Sequence, residues 1–123
     1  MATTAIDWFE IYVKDLAKSV AFYEAVLGVT LEPLGSQDIA MRAFPKGPSD
    51  AGAAGALVHV PGYEPSGNTT VVYFQCDDVA TEAARVEGAG GKVHRPKMSI
   101  GPYGFVAHII DPEGNMFGLH SMT

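Results

Sequence analysis

Along residues 5–13, AIDWFEIYV, apolar and polar side chains alternate: Phe9, Ile11 and Val13 fall on one side, Trp8, Glu10 and Tyr12 on the other. A period of two predicts a half-buried strand. Asp15 follows as an N-cap, and in LAKSVAFYEAVLG the residues Leu16, Val20, Tyr23 and Leu27 recur at helical spacing. Gly28 is placed to end that helix in a left-handed turn. VTLEPL, IAMRAF and GALVHV then read as three strands, with PKGPSDAGAAG as a loop between the last two.

After the Pro/Gly-rich link PGYEPSGN the pattern restarts. In TTVVYFQC, Val72, Phe74 and Cys76 oppose Val71, Tyr73 and Gln75. Asp78 opens a second helix with Val79, Ala83 and Val86 inward, and Gly90 and Gly91 close it. KVHRP, GFVAHII and NMFGLHS are three more strands. In the last, DPEGN is a hairpin turn: Pro112 presets φ for its second position and Gly114 supplies the positive φ. Phe117 and Leu119 are expected to face the second helix, with Met116, Gly118 and His120 on the other side.

The order β-α-β-β-β therefore occurs twice. Asp15 and Asp78 are 63 residues apart, as are Gly28 and Gly91, while few other residues match at that offset. The repeat is structural rather than a duplicated sequence. The expected architecture is α+β, one domain over residues 1–123, with modules at 1–62 and 67–123. Each sheet buries one face under a helix. The other face carries Trp8, Glu10, Tyr12, Tyr73 and Gln75, large side chains with polar tips, which suits a concave small-molecule pocket.

Composition narrows the function. Among 123 residues the hydrophobic share is 47% and the charged share 18%, which predicts a packed core. The net charge of -6 and the lack of a Lys/Arg cluster argue against nucleic acid as a partner. No apolar run is long enough to span a bilayer, and the N-terminal stretch MATTAIDWFEIY lacks the regions of a signal peptide. The single Cys76 cannot form an internal disulfide, so a cytoplasmic protein with a reduced thiol is expected.

The paired modules resemble the vicinal oxygen chelate superfamily, which includes glyoxalase I, extradiol dioxygenases and bleomycin-binding proteins. VKDLAKSVAFYEAVLGV, VEGAGGKV and DPEGNMFGL carry the resemblance, which covers nearly the whole chain. WFEIYVKD, GALVHVPG and GGKVHRPKMSIGPYGF look like small bacterial proteins related to lactoylglutathione lyase. The resemblance implies curved mixed sheets forming a concave pocket. In metal-dependent members, it also implies a His or Gln on each module's first strand and a Glu on its fourth. The corresponding positions here are Trp8, Val71, Gly118 and, in the fourth strand of the first module, His59. Trp8, Val71 and Gly118 offer no coordinating side chain, so no metal is expected at the usual site. A weakly held divalent ion on Glu10 and His59 is the remaining metal reading, and no other cofactor is implied.

Glu10 and His59 are expected to meet, because first and fourth strands are neighbours in such modules; they are the candidate acid/base pair. Trp8, Tyr12, Tyr73, Gln75, Tyr103, Gly118 and His120 are the candidate substrate contacts, with PKMSIGPYGF as a covering loop. Gly118 is expected to leave a gap beside His120. His94 and His108 lie in strands without a patterned partner and read as structural, and Cys76 reads as a small buried apolar residue. Beside a subunit or regulatory module whose concave face meets another protein, two functions follow: a lyase- or isomerase-type enzyme without the complete metal site, or a metal-free, antibiotic-sequestering binding protein. Either is expected to be a homodimer, with modules paired within one chain or exchanged between two.

Overall fold

The computed structural model describes residues 8–35, 39–47, 51–68 and 70–123. The first module comprises β1 (Trp8–Tyr12), α1 (Leu16–Leu27), β2 (Glu32–Gly35), β3 (Ala40–Ala43) and β4 (Ala54–His59). The second comprises β5 (Tyr73–Gln75), α2 (Val79–Ala83), β6 (Lys92–Ser99), β7 (Phe105–Ile110) and β8 (Met116–Ser121). Each forms a four-stranded mixed sheet, ordered β1-β4-β3-β2 and β5-β8-β7-β6. In both, the first strand runs parallel to the last and the other pairs are antiparallel. This is the expected α+β architecture of two βαβββ modules.

The local signals act as their chemistry predicts. The Asp15 carboxylate accepts the N–H of Lys18 at 3.1 Å and opens α1, and Gly28 ends it at φ 69°. The Asp78 carboxylate accepts the N–H of Ala80 at 2.9 Å. The second helix is shorter than its pattern suggests: α2 stops at Ala83, and the chain continues through a 3-10 turn at Glu87–Ala89. Gly88 and Gly90 weaken α-helix there, and Val86 still reaches the core. Strand β5 is also shorter than the alternating run from residue 69 to 76, of which residue 69 lies outside the described residues, as do residues 48–50 of the predicted loop.

The buried arc of α1 comprises Ser19, Phe22, Tyr23 and Val26, so of the predicted stripe only Tyr23 is fully buried. Leu16, Val20 and Leu27 flank it, partly buried. The reason is that α1 packs against both modules. Tyr23 and Phe22 lie 5.0 and 6.2 Å, ring centre to ring centre, from Phe117 of β8. Phe74 of β5 meets Phe44 at 5.1 Å and Phe9 at 5.8 Å. One aromatic core therefore joins the two modules, and neither covers its sheet with its own helix alone.

Polar groups tie the same seam. The turn after β7 closes as predicted, with Gly114 at φ 89° donating to Asp111 O at 3.0 Å. Asp111, buried, accepts the Tyr23 hydroxyl at 2.9 Å and the N–H groups of Glu113 and Asn115. The Glu113 carboxylate reaches the other module, accepting the N–H groups of Lys14 and Asp15 at the start of α1. Asn68, in the linker, exchanges two 3.0 Å hydrogen bonds with the backbone of Met116.

Candidate binding cavity

The register of β5, β7 and β8 decides what the second sheet presents. Tyr73 pairs with Gly118 and Gln75 with His120; across β8, His108 pairs with Gly118 and Val106 with His120. Paired residues share a face. Phe74, Leu119 and Phe117 thus go to the core, while Tyr73, Gln75, Val106, His108 and His120 share the open face. There they line a cavity of about 540 Å³, walled also by Met98 and Ile100 from β6 and its end. Strand β6 breaks register between Val93 and Arg95 and again between Arg95 and Met98, and such bulges bend a strand over its sheet.

Within this cavity the polar groups are paired. Tyr73 Oη lies 2.8 Å from His108 Nε2. Burial, and then the charges of Arg95 and His94, hold the His108 pKa below its usual value. The neutral imidazole can accept the phenol proton at Nε2. His120 Nε2 lies 2.7 Å from the Tyr103 carbonyl, to which it must donate. In the tautomer that donates from Nε2, Nδ1 is the acceptor. The site thus offers a phenol, two imidazoles and an amide among Met98, Ile100 and Val106, a combination suited to orienting an apolar ligand with a few polar atoms.

Several sequence expectations are redrawn. Glu10 and His59 do not pair. Glu10 lies opposite Ala56, and Tyr12 opposite Val58, so His59 falls one step further along β4, on the face of Leu57 and Ile11. Its Nδ1 donates to Val13 O at 3.1 Å. Glu10 instead accepts from Trp8 Nε1 at 3.1 Å and from the Tyr12 hydroxyl at 2.9 Å. The hydrogen bond to Glu10 and its charge hold the Tyr12 pKa above the usual value. The first-module counterpart of Gly118 is also Ala56 rather than His59: Ala56 faces Glu10 as Gly118 faces Tyr73. None of the four superfamily ligand positions then carries a donor side chain. Among the described residues, no three His, Cys, Asp or Glu are grouped to hold a metal ion.

The candidate contacts divide between the modules. Trp8, Glu10 and Tyr12 form a hydrogen-bonded trio on the first sheet, away from the cavity of Tyr73, Gln75 and His120. Val71, partly exposed, does not line that cavity either. Gly118 is not a gap, because the Tyr73 ring lies directly over its Cα. Tyr103 contributes its carbonyl, while its side chain is 72% exposed. Of the cavity's other residues, Met98 and Ile100 lie in PKMSIGPYGF, the stretch expected to cover the pocket, although β6 runs through it as far as Ser99, while Val106 and His108 were absent from the expected contacts. Alternation through GFVAHII carried the signal for these two: Val106 and His108 oppose Phe105, Ala107 and Ile109.

The fold has counterparts among known proteins. The curated relatives include the protein named "Putative glyoxylase CFP32" of Mycobacterium tuberculosis and of Mycobacterium bovis, each 31% identical over 120 residues. The match takes in 95% of this chain but 44% of theirs, so the chain spans less than half their length. Glyoxalase I from Zea mays superposes with a TM-score of 0.74 at 24% identity, covering 93% of this chain and 44% of that one. TnmS3, an antibiotic binding protein from Streptomyces sp. CB03234, superposes with a TM-score of 0.70 at 29% identity, covering 100% of this chain and 99% of that one. The model of the Glyoxalase/Bleomycin resistance protein/Dioxygenase superfamily matches residues 5–119, nearly the full length, and the chain belongs to that superfamily.

Proposed function

We propose that the protein binds a small, largely apolar organic molecule in the second-module cavity, without chemical conversion. The observation that carries this reading is the cavity itself. Its volume of about 540 Å³ lies within the range of organic-ligand sites, and its walls are mostly apolar with a few convergent polar atoms. The Streptomyces antibiotic binding protein, alike over its whole length, supports a sequestering role. Exposed Trp8, Tyr12 and Tyr63, the last two in ring contact at 5.2 Å, support a homodimer in which a second copy covers them. The single thiol suits a reducing, cytoplasmic setting.

A second reading, a lyase- or isomerase-type enzyme akin to the small bacterial lactoylglutathione lyase relatives, rests on the Tyr73–His108 pair. A neutral imidazole joined to a phenol can take and return a proton. It replaces Glu10 and His59, whose separation removes the earlier acid/base pair.

The test is calorimetric titration with bleomycin and a panel of aromatic antibiotics, with NMR mapping of any binder. Binding is expected to shift the signals of Tyr73, His108 and His120, and Ile100→Trp, at the cavity wall, is expected to abolish it. Shifts confined to the first module, or unchanged affinity in Ile100→Trp, would overturn the assignment. Recovery of a chemically altered compound after incubation would favour the enzyme.

A further inference from the structure

Strand β6 is an edge of the second sheet, and its two breaks in register re-aim two side chains. Val93 pairs with Ile109 and packs against the core. In unbroken register Arg95 would pair with Ala107 and turn to the core as well. The first bulge pairs it with His108 instead, on the open face. The second pairs Met98 with Val106, on that same face. The two re-aimed side chains meet: Arg95 Nη1 lies 3.9 Å from Met98 Sδ. Met98, Val106 and His108 line the cavity of about 540 Å³, so the guanidinium stands at its rim.

That guanidinium has no carboxylate partner. Among the described residues the ion pairs join Lys14 to Glu64 and Lys97 to Asp78, while Arg95 has a thioether, a weak acceptor. Asp and Glu outnumber Lys and Arg in the chain by 14 to 8, yet none of them lines this cavity. Burial, and next the charge of Arg95, hold the His108 pKa below its usual value, so the cation is felt at the cavity wall. An apolar hollow with such a cation at its mouth favours an anion whose apolar body fills the hollow. The planar fork of a guanidinium matches the two oxygens of a carboxylate.

We propose that the second-module cavity selects apolar carboxylic acids, with Arg95 as the residue that reads the carboxylate. The acid group pairs with the guanidinium at the rim, and the apolar body lies against Met98, Ile100 and Val106. This selectivity rests on the reading of the cavity as a small-molecule site and adds the charge of its ligand.

The probes are 2-naphthylacetate, its amide 2-naphthylacetamide and the cationic 2-naphthylethylammonium, titrated at constant ionic strength and followed by NMR. Saturable shifts are expected at Met98, Val106 and His108. The acid is expected to bind about tenfold or more tightly than the amide, the scale of one charge-assisted pair, and the ammonium most weakly. Arg95→Gln is expected to bring the acid down to the affinity of the amide and to leave the amide unchanged. Lys92→Gln removes the same charge from the same strand and is expected to alter neither. Equal affinity of acid and amide, or unchanged affinity of the acid in Arg95→Gln, would overturn the selectivity while leaving the cavity as a small-molecule site. An equal loss in Lys92→Gln would reduce the effect to net charge and overturn it too. Shifts at none of the cavity residues with any probe would count against the site itself, and the selectivity would fall with it.

Discussion

Glu113 caps a helix of the opposite module: its carboxylate oxygens accept the N–H groups of Lys14 and Asp15, where α1 begins. Asp15 is itself the N-cap of that helix, so one turn of β8's hairpin and one helix end complete each other. Glu113→Gln keeps the length but loses the negative charge at the positive end of the helix. Urea unfolding should show a loss of about 1–2 kcal/mol, the scale of charge-assisted hydrogen bonds on a partly exposed surface. Unchanged stability would mean that solvent replaces the cap without cost.

Tyr73 occupies the space over Gly118, and its hydroxyl meets His108. A methyl group at residue 118 would collide with that ring. Gly118→Ala should therefore push Tyr73 aside and break the contact with His108, at a stability cost of about 1 kcal/mol from overpacking. Adding Tyr73→Ala should recover most of that loss, and a double-mutant cycle measures the coupling. Simple additivity of the two changes would show that the ring does not depend on the glycine.

His108 titrates below its ordinary range because burial, Arg95 and His94 all disfavour its charged form. A depressed pKa contributes stability above the unfolded-state value of about 6.5, and that contribution is lost as pH falls through the folded value. An NMR titration should place the His108 midpoint below that of a free histidine. Arg95→Gln, which removes one repelling charge, should raise it. If Arg95→Gln leaves the midpoint in place, burial and His94 set it without Arg95.

Burial pushes the Cys76 thiol up to about 12, and the charge of Glu82 adds to the rise. Alkylation by iodoacetamide needs the thiolate, so the folded protein should react far more slowly than a free thiol at pH 8.5. Its rate should still be rising at pH 10, past the point where a free thiol levels off. The raised value also means that the stability held below pH 9 is lost as pH climbs toward 12. Rapid alkylation at pH 8 would contradict the burial.

Much of this molecule was written in local order. Alternation in WFEIY, the Asp15 and Asp78 caps, and the glycines at 28, 90 and 114 act over a few residues, and each behaves as its chemistry predicts. Strand parity likewise placed Tyr73, Gln75 and His120 on the face away from the core, because a period of two needs no knowledge of the partner strand. The lost pairing of Glu10 with His59 failed for the complementary reason. Two strands can be known as neighbours while their register stays open, and a shift of one residue moves a side chain to the opposite face.

What tertiary structure alone decided is which local faces share a space. His108 entered the cavity because β7 lies beside β8 in a register that sets it next to Gly118 and within reach of Tyr73. The arc of α1 turned toward Phe22 and Tyr23 because a second module supplied Phe74 and Phe117 to pack against. Glu113 found Asp15 across 98 residues of chain. Such contacts depend on relative placement of distant segments, and no periodicity within either segment encodes it.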